Sequence, residues 1–356
     1  MAHQENAPLS VTPGAIRFNT DSMKLEYYRG GPVSFGTTTT TGEWVNITTD
    51  SPDIQTGGTR GVFDASSGNL DYINISTTGD AIDFGDAQPD SRSTTCSCSS
   101  RTRGLFMGGK SPETANIFQV TIASTGSVTD FNGDLVIARR NAGGAGNQTR
   151  GLALGGWGPT YAPGTGEISE IDYVTIASNG NAQSFGDLIE LKEFTASFAS
   201  QTRAVVAGGA AHPGVTVNTI EFVTISTQGD GADFGDLLES QNGSAGCSNS
   251  VRGIHWGGRT TPSPATFTTN MDYITLATLG NSTNFGDHTA TGYLPGFCAS
   301  STRAVFAGGY EPAAPSNTDR IEYVQIMSLG DTIDFGDLTQ AKHRFPGLSN
   351  GHGGLG

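Results

Sequence analysis

Charge is scarce in this chain. Asp, Glu, Lys and Arg make up 15% of its 356 residues, and only 19 of them are basic. A net charge of −15 would repel a phosphate backbone, so nucleic acid is not an expected partner. Long helical patterns of Ala, Leu, Glu and Lys are missing. No apolar run approaches the roughly 20 residues that span a bilayer, so no membrane insertion is expected. The opening "MAHQENAPLS" lacks a basic region followed by an apolar one, and no signal peptide is expected. Cysteine is limited to Cys96, Cys98, Cys247 and Cys298. The last three each lie five residues before a recurring arginine, so they sit at one height in different units. That predicts small buried side chains rather than a bridge. A zinc site is not expected, because Cys96-Ser97-Cys98 alternates faces on a strand and no second pair follows.

What the chain has is glycine, 51 residues of it, with abundant Thr, Ser and Asn. This composition predicts an all-β protein with many turns. Near the end, Asp334-Phe335-Gly336 spells the magnesium-binding triplet of protein kinases. No glycine-rich loop, lysine strand or catalytic loop accompanies it. Instead Phe-Gly-Asp recurs at Phe84, Phe185, Phe234, Phe285 and Phe335, with a longer version, Phe131-Asn132-Gly133-Asp134. A catalytic aspartate is needed once. A residue present six times belongs to six structural units.

Six arginines mark those units: Arg60, Arg103, Arg150, Arg203, Arg252 and Arg303, spaced by 43, 47, 53, 49 and 51 residues. Periods of this size indicate propeller blades or similar units. Within a unit most distances are constant. The strand aromatic (Tyr72, Tyr173, Phe222, Tyr273 or Tyr323, with Gln119 in the second copy) lies 12 residues before the Phe of Phe-Gly-Asp. The Asp lies 16 residues before the next arginine, or 17 in the first copy, and the arginine 6 before the second Gly of Gly-Gly. Only the stretch from Gly-Gly to the aromatic varies, through 10, 17, 13, 15 and 14 residues. Constant distances imply strands whose register cannot slip, and the variable one a surface loop. Each unit therefore reads as four antiparallel strands: a small-residue strand, the Gly-Gly strand, the aromatic strand and the Phe-Gly-Asp strand. Six such units predict a six-bladed β-propeller. The first copy has no small-residue strand of its own, so residues about 340–352 are expected to supply it and close the ring.

The pattern resembles kelch repeats over about 60–356, through Gly-Gly, the aromatic and the second aromatic. It differs in having Phe where kelch usually has Trp, and in a longer gap between aromatics. Residues 14–28, "GAIRFNTDSMKLEYY", alternate as a β-hairpin, and "EWVNI" adds a third strand. The predicted domains are thus an N-terminal β-hairpin docking arm, 1–50, and a propeller, 51–356. The arm is similar to segments of tail-fibre and other appendage proteins of tailed bacteriophages. The repeat "IEYVTIASxGNAxxFGDL…TRAVFAGG" is similar to propeller repeats in virion structural proteins of phages that infect marine bacteria, including cyanobacteria.

That resemblance implies a non-enzymatic virion component, located on the particle surface or tail. It would contact other virion proteins through its arm, a host-surface glycan or protein through its loops, or further copies of itself. Two alternatives stand beside this reading: a purely structural tail, nozzle or capsid-decorating part, and a polysaccharide-degrading propeller enzyme. The candidate ligand-binding residues are Trp157, Tyr161, His212, Phe267 and Tyr310, on the loops that follow Gly-Gly. The repeat arginines and the aspartates Asp86, Asp134, Asp187, Asp236, Asp287 and Asp337 are expected to be structural, as ion pairs or turn caps. The acidic residue before each strand aromatic (Asp71, Asp172, Glu221, Asp272, Glu322) is an alternative partner for the arginine. The six histidines, His3, His212, His255, His288, His343 and His352, share no repeat position and are expected at surfaces or edges. No catalytic residue, metal or cofactor is expected.

Overall fold

The structure, a computed structural model, describes residues 15–19, 24–29, 43–46, 59–64, 68–87, 93–110, 112–159, 166–260, 265–313 and 316–355. The chain divides into two units, Met1–Gln55 and Thr56–Gly356. In the first, Ile16–Asn19, Lys24–Arg29 and Glu43–Asn46 form an antiparallel sheet in that order. Arg17 organises one face of it. Its guanidinium pairs with Glu26 at 2.8 Å and lies over the Trp44 ring at 4.3 Å, where Tyr28 also meets Trp44 edge-on.

The second unit is all-β, and its described residues include six four-stranded antiparallel sheets, numbered 1 to 6 by the second strand of each, which begins at Arg60, Arg103, Arg150, Arg203, Arg252 and Arg303 respectively. Sheet 3 is typical: Gly143–Gly146, Arg150–Trp157, Glu167–Thr175 and Gln183–Asp187. Sheet 1 draws on both ends of the repeat region. Its first strand, Gly347–Ser349, pairs antiparallel with Arg60–Asp64, placing Leu348 opposite Val62. Beyond it the chain makes a 3₁₀ turn, Gly353–Leu355, whose glycines approach the Ala199, Asn249 and Gly146 carbonyls too closely for a Cβ.

Phe-Gly-Asp builds the junction between sheets. The Phe is buried in every copy, and in the five copies that have a strand aromatic it meets that ring edge-on, as with Tyr173 and Phe185 at 5.8 Å. In sheet 1 the Gly sits beside a bulge with φ +149°, where a Cβ would lie 2.5 Å from the Gly126 backbone of sheet 2. Gly126 N–H donates to the Phe84 carbonyl at 2.7 Å. The same bond joins sheet 4 to sheet 3 (Gly229 to Phe185), 5 to 4 (Gly280 to Phe234), 6 to 5 (Gly330 to Phe285) and 1 to 6 (Gly79 to Phe335). Sheets 2 and 3 are joined through Ala182 N–H and the Asp134 carbonyl at 2.8 Å. Each sheet therefore contacts the next, and the sixth contacts the first.

The first strands interlock by size. Leu348, Cys98, Phe198 and Cys298 press on Gly104, Gly151, Gly253 and Gly61 of the following sheet. At the other two junctions smaller pairs share a core, Ala145 with Ala204 and Cys247 with Ala304. All four cysteines are free and buried, and burial pushes the Cys96 and Cys247 thiols up to about 12.

The repeat charges do not pair with one another. Arg60, Arg103, Arg150, Arg203, Arg252 and Arg303 each donate to a carbonyl of the next sheet, for example Arg150 to Ile225 at 2.8 Å and Arg303 to Ile75 at 2.9 Å. In five sheets each also covers its own strand aromatic; Arg103 instead lies 6.0 Å over Phe131. The aspartates contribute their backbone: Asp337 N–H donates to Asp80 Oδ1, and Asp187 N–H to Asp230 Oδ1. Among the described residues their carboxylates make no ion pair with the repeat arginines, which corrects the ion-pair half of the expectation; those of Asp86, Asp187 and Asp287 accept from the Ser127, Ser169 and Thr269 hydroxyls.

The acid before the strand aromatic is also corrected as a partner for the arginine. It lies further along the strand, and in three sheets it takes a cation from the connection after the preceding Phe-Gly-Asp. Lys342 meets Asp71 at 2.7 Å, Arg139 meets Asp172 at 2.9 Å, and Lys192 meets Glu221 at 2.6 Å. In sheets 5 and 6 histidines take that role, His255 with Asp272 at 2.8 Å and His288 with Glu322 at 3.0 Å. These two histidines are buried rather than at an edge, because each contacts an interior carboxylate through a ring nitrogen. Sheet 2 has Phe118 at the acid's place.

Candidate functional site

The variable loops and the connections leading into the first strands lie at the same end of the sheets. There the chain passes through an unusual conformation six times. Thr94, Asn141, Phe194, Leu294 and Arg344 have φ between 54° and 62°, and Gly243 has 69°. For Phe and Leu this left-handed backbone is costly and needs external support. The support is a closed cycle of hydrogen bonds. Thr94 N–H donates to the Arg344 carbonyl at 3.0 Å, Arg344 to Leu294 at 2.9 Å, and Leu294 to Gly243 at 2.7 Å. Gly243 donates to Phe194 at 2.8 Å, Phe194 to Asn141 at 2.9 Å, and Asn141 to Thr94 at 3.0 Å. The ring frames a cavity of about 70 Å³.

Residues immediately outside this ring form a rim. Arg140 lies over the Trp157 ring at 4.0 Å and pairs with Glu113. Arg259 lies 4.8 Å over Tyr293, which Phe267 meets at 6.4 Å and Tyr310 meets through paired backbone bonds. Tyr310 in turn faces His343 at 6.2 Å. His212 stands at the outside, exposed, with Nδ1 3.2 Å from Glu167. Glu193 accepts from Asn141 Nδ2 at 2.7 Å, and burial raises its carboxyl above the ordinary range. Burial likewise lowers His343, helped by the adjacent Arg344 charge.

Of the residues singled out from sequence, Phe267 and Tyr310 come together around Tyr293. Trp157 is clamped by Arg140, with Gly166 packed against its indole, and His212 stands apart in its contact with Glu167. Tyr161 lies outside the described residues. Sequence reading missed Arg140, Arg259, Tyr293 and the left-handed ring. The ring had a signal in its spacing, since five of its members lie seven residues after a Phe-Gly-Asp aspartate and Thr94 eight. Among the described residues no group of three or more His, Cys, Asp or Glu is placed to hold a metal.

No protein-family model matches the chain, and no curated protein matches it. Among solved structures it is similar to YjhT, with a TM-score of 0.58 at 12% identity, over 72% of this chain and 87% of that one. This is a likeness of fold. The fold recurs in 349 matching chains, so it does not by itself select a function.

Proposed function

We propose that residues 51–356 form a six-bladed, kelch-like β-propeller closed by its C-terminal strand, and that the protein is a non-enzymatic structural component of a phage virion. The N-terminal arm docks on other virion proteins. The loop face points outward and contacts a host-surface glycan or protein. The cyclic order of sheet contacts, with sheet 6 returning to sheet 1, supports the propeller. The observation that carries the functional reading is the asymmetry of the two ends. One end repeats the same glycine turn in every sheet. The other varies in loop length and gathers Arg140, Trp157, Arg259, Phe267, Tyr293 and Tyr310. Variation confined to one face of a rigid frame is the pattern of a recognition surface.

A purely structural part without a host ligand is favoured by one observation, the clamping of Trp157 between Arg140 and its own loop. Two measurements test and separate the readings. Mass spectrometry of purified particles should find the chain, and its absence overturns both. Antibodies against residues 157–167 and 259–267 should block adsorption to host cells. Binding to particles without any effect on adsorption leaves only the structural role.

A further inference from the structure

The cavity inside the left-handed ring carries a second, independent feature. Five side chains that line it, Thr94, Thr95, Asn141, Thr195 and Ser244, are more than nine-tenths buried. Their oxygens Oγ1, Oγ1, Oδ1, Oγ1 and Oγ find no hydrogen-bond partner among the described residues, and neither does Arg344 Nε. Buried polar groups are nearly always paired, and six orphans around one void are far from that rule. Elsewhere on the same inner strands hydroxyls are fully used. Ser99 donates to the Ser349 carbonyl and Ser248 to the Ala199 carbonyl, both at 2.7 Å. Other unpartnered buried atoms, such as Asp64 Oδ2 and Trp256 Nε1, lie elsewhere, but among the described residues the unpartnered buried hydroxyls are confined to the cavity at the loop end.

The chemistry of the lining selects a ligand class. Four hydroxyls both donate and accept, Asn141 offers only its accepting oxygen because its nitrogen already donates to Glu193, and Arg344 only donates. Phe194, Leu294 and Pro295 supply apolar wall between them. A ligand that alternates hydroxyls with C–H surface satisfies both parts, whereas an anion would face the Asn141 oxygen and the neighbouring Glu193 carboxyl. At roughly 10–15 Å³ per water, the cavity of about 70 Å³ takes about five to seven non-hydrogen atoms. That is the edge of one sugar ring with its exocyclic arm, not a whole disaccharide.

We propose that this axial pocket binds the terminal residue of a neutral glycan end-on, with the rest of the chain leaving across the Arg140–Trp157 and Arg259–Tyr293 rim. The inference rests on the loop face being the contact face. It adds where on that face a sugar enters and which end of the polymer is read.

The experiment uses the full chain with free glucose, galactose, mannose and glucuronate, followed by saturation-transfer NMR, and repeats it with Thr195→Val plus Ser244→Ala. At least one neutral hexose should bind, and the double variant should weaken it about tenfold, the equivalent of 1.4 kcal/mol. The variant's melting temperature should be unchanged or higher, since removing an orphaned buried hydroxyl does not break a bond. Loss of stability in the variant would show that the hydroxyls hold the fold and would overturn the pocket. So would binding that the variant leaves intact, or a preference for glucuronate. If antibodies to the loops block adsorption and no sugar binds the wild type, the end-on pocket fails while the contact face stands.

Discussion

Two junctions in the repeat unit share one backbone frame and fill it differently. Between sheets 6 and 1, the thiol of Cys298 presses on Gly61, and Lys342 reaches across to a wholly buried Asp71. Between sheets 4 and 5, the Phe198 ring presses on Gly253, and the residue equivalent to Lys342 is Gln241. Asp272, the counterpart of Asp71, turns instead to His255 and Ser282 of its own sheet. The backbone bonds are common to both: Gly309 N–H donates to the Lys342 carbonyl and Gly209 N–H to the Gln241 carbonyl, each at 2.8 Å. What is fixed is the frame and, where an interior carboxylate is present, the need to give it a hydrogen-bonding partner. The group that supplies the partner is free to change.

The largest effect should come from taking away the lysine charge that crosses a junction. Lys342→Met leaves Asp71 buried without its cation, which costs about 3–5 kcal/mol. Gln241→Met at the equivalent position should cost under ~1 kcal/mol. Equal losses in urea unfolding of the two variants would refute the distinction.

Acidity separates the junctions next. Burial lifts Asp64, beside Lys342, to about 7, with the lysine charge partly opposing. A folded-state value above the unfolded one means that the native state holds the extra proton. Asp64 therefore favours folding at acid pH, and this contribution is lost as pH rises from about 4 to 7, at up to ~1.4 kcal/mol per unit. Asp64→Asn should gain stability relative to wild type at pH 8 and little at pH 4. A gain independent of pH would contradict the assignment.

Packing gives a smaller contrast. A Cβ on Gly253 would lie 2.4 Å from the Phe198 ring, so Gly253→Ala should cost about 1–3 kcal/mol by overpacking. In a Phe198→Ala background the same change should cost nothing, since alanines already share the junction between sheets 3 and 4. Thermal melts of the four chains give the coupling directly. The smallest effect is expected at Asp337→Ala, below ~0.5 kcal/mol, because that carboxylate is exposed. A loss comparable with Lys342→Met would restore the ion pair that sequence reading offered this aspartate.

These contrasts mark what the sequence could and could not convey. The spacing of Tyr173 and Phe185 conveyed a register, because a slip would turn both away from the core. The Lys342–Asp71 pair was not legible, since its halves are 271 residues apart and its other versions use Arg139, Lys192 or a histidine. The left-handed ring was hidden for a related reason. Backbone hydrogen bonds hold it, so Thr94, Phe194 and Arg344 occupy equivalent places with nothing chemical in common. Whether Trp157 was free depended on Arg140, seventeen positions earlier, and no local pattern announces that contact.

The shared construction of sheet 1 governs when the molecule can exist. Arg60 N–H donates to Asn350, 290 residues later in the chain. At about 5–20 residues per second, the ribosome leaves the Arg60–Asp64 edge waiting some 15–60 s for its partner strand. Every other sheet can assemble from contiguous chain as it emerges, but the first sheet to be made is the last to be finished. A prematurely terminated polypeptide then displays an unpaired edge at its beginning, a mark by which quality control can recognise an unfinished product before it is built into anything larger.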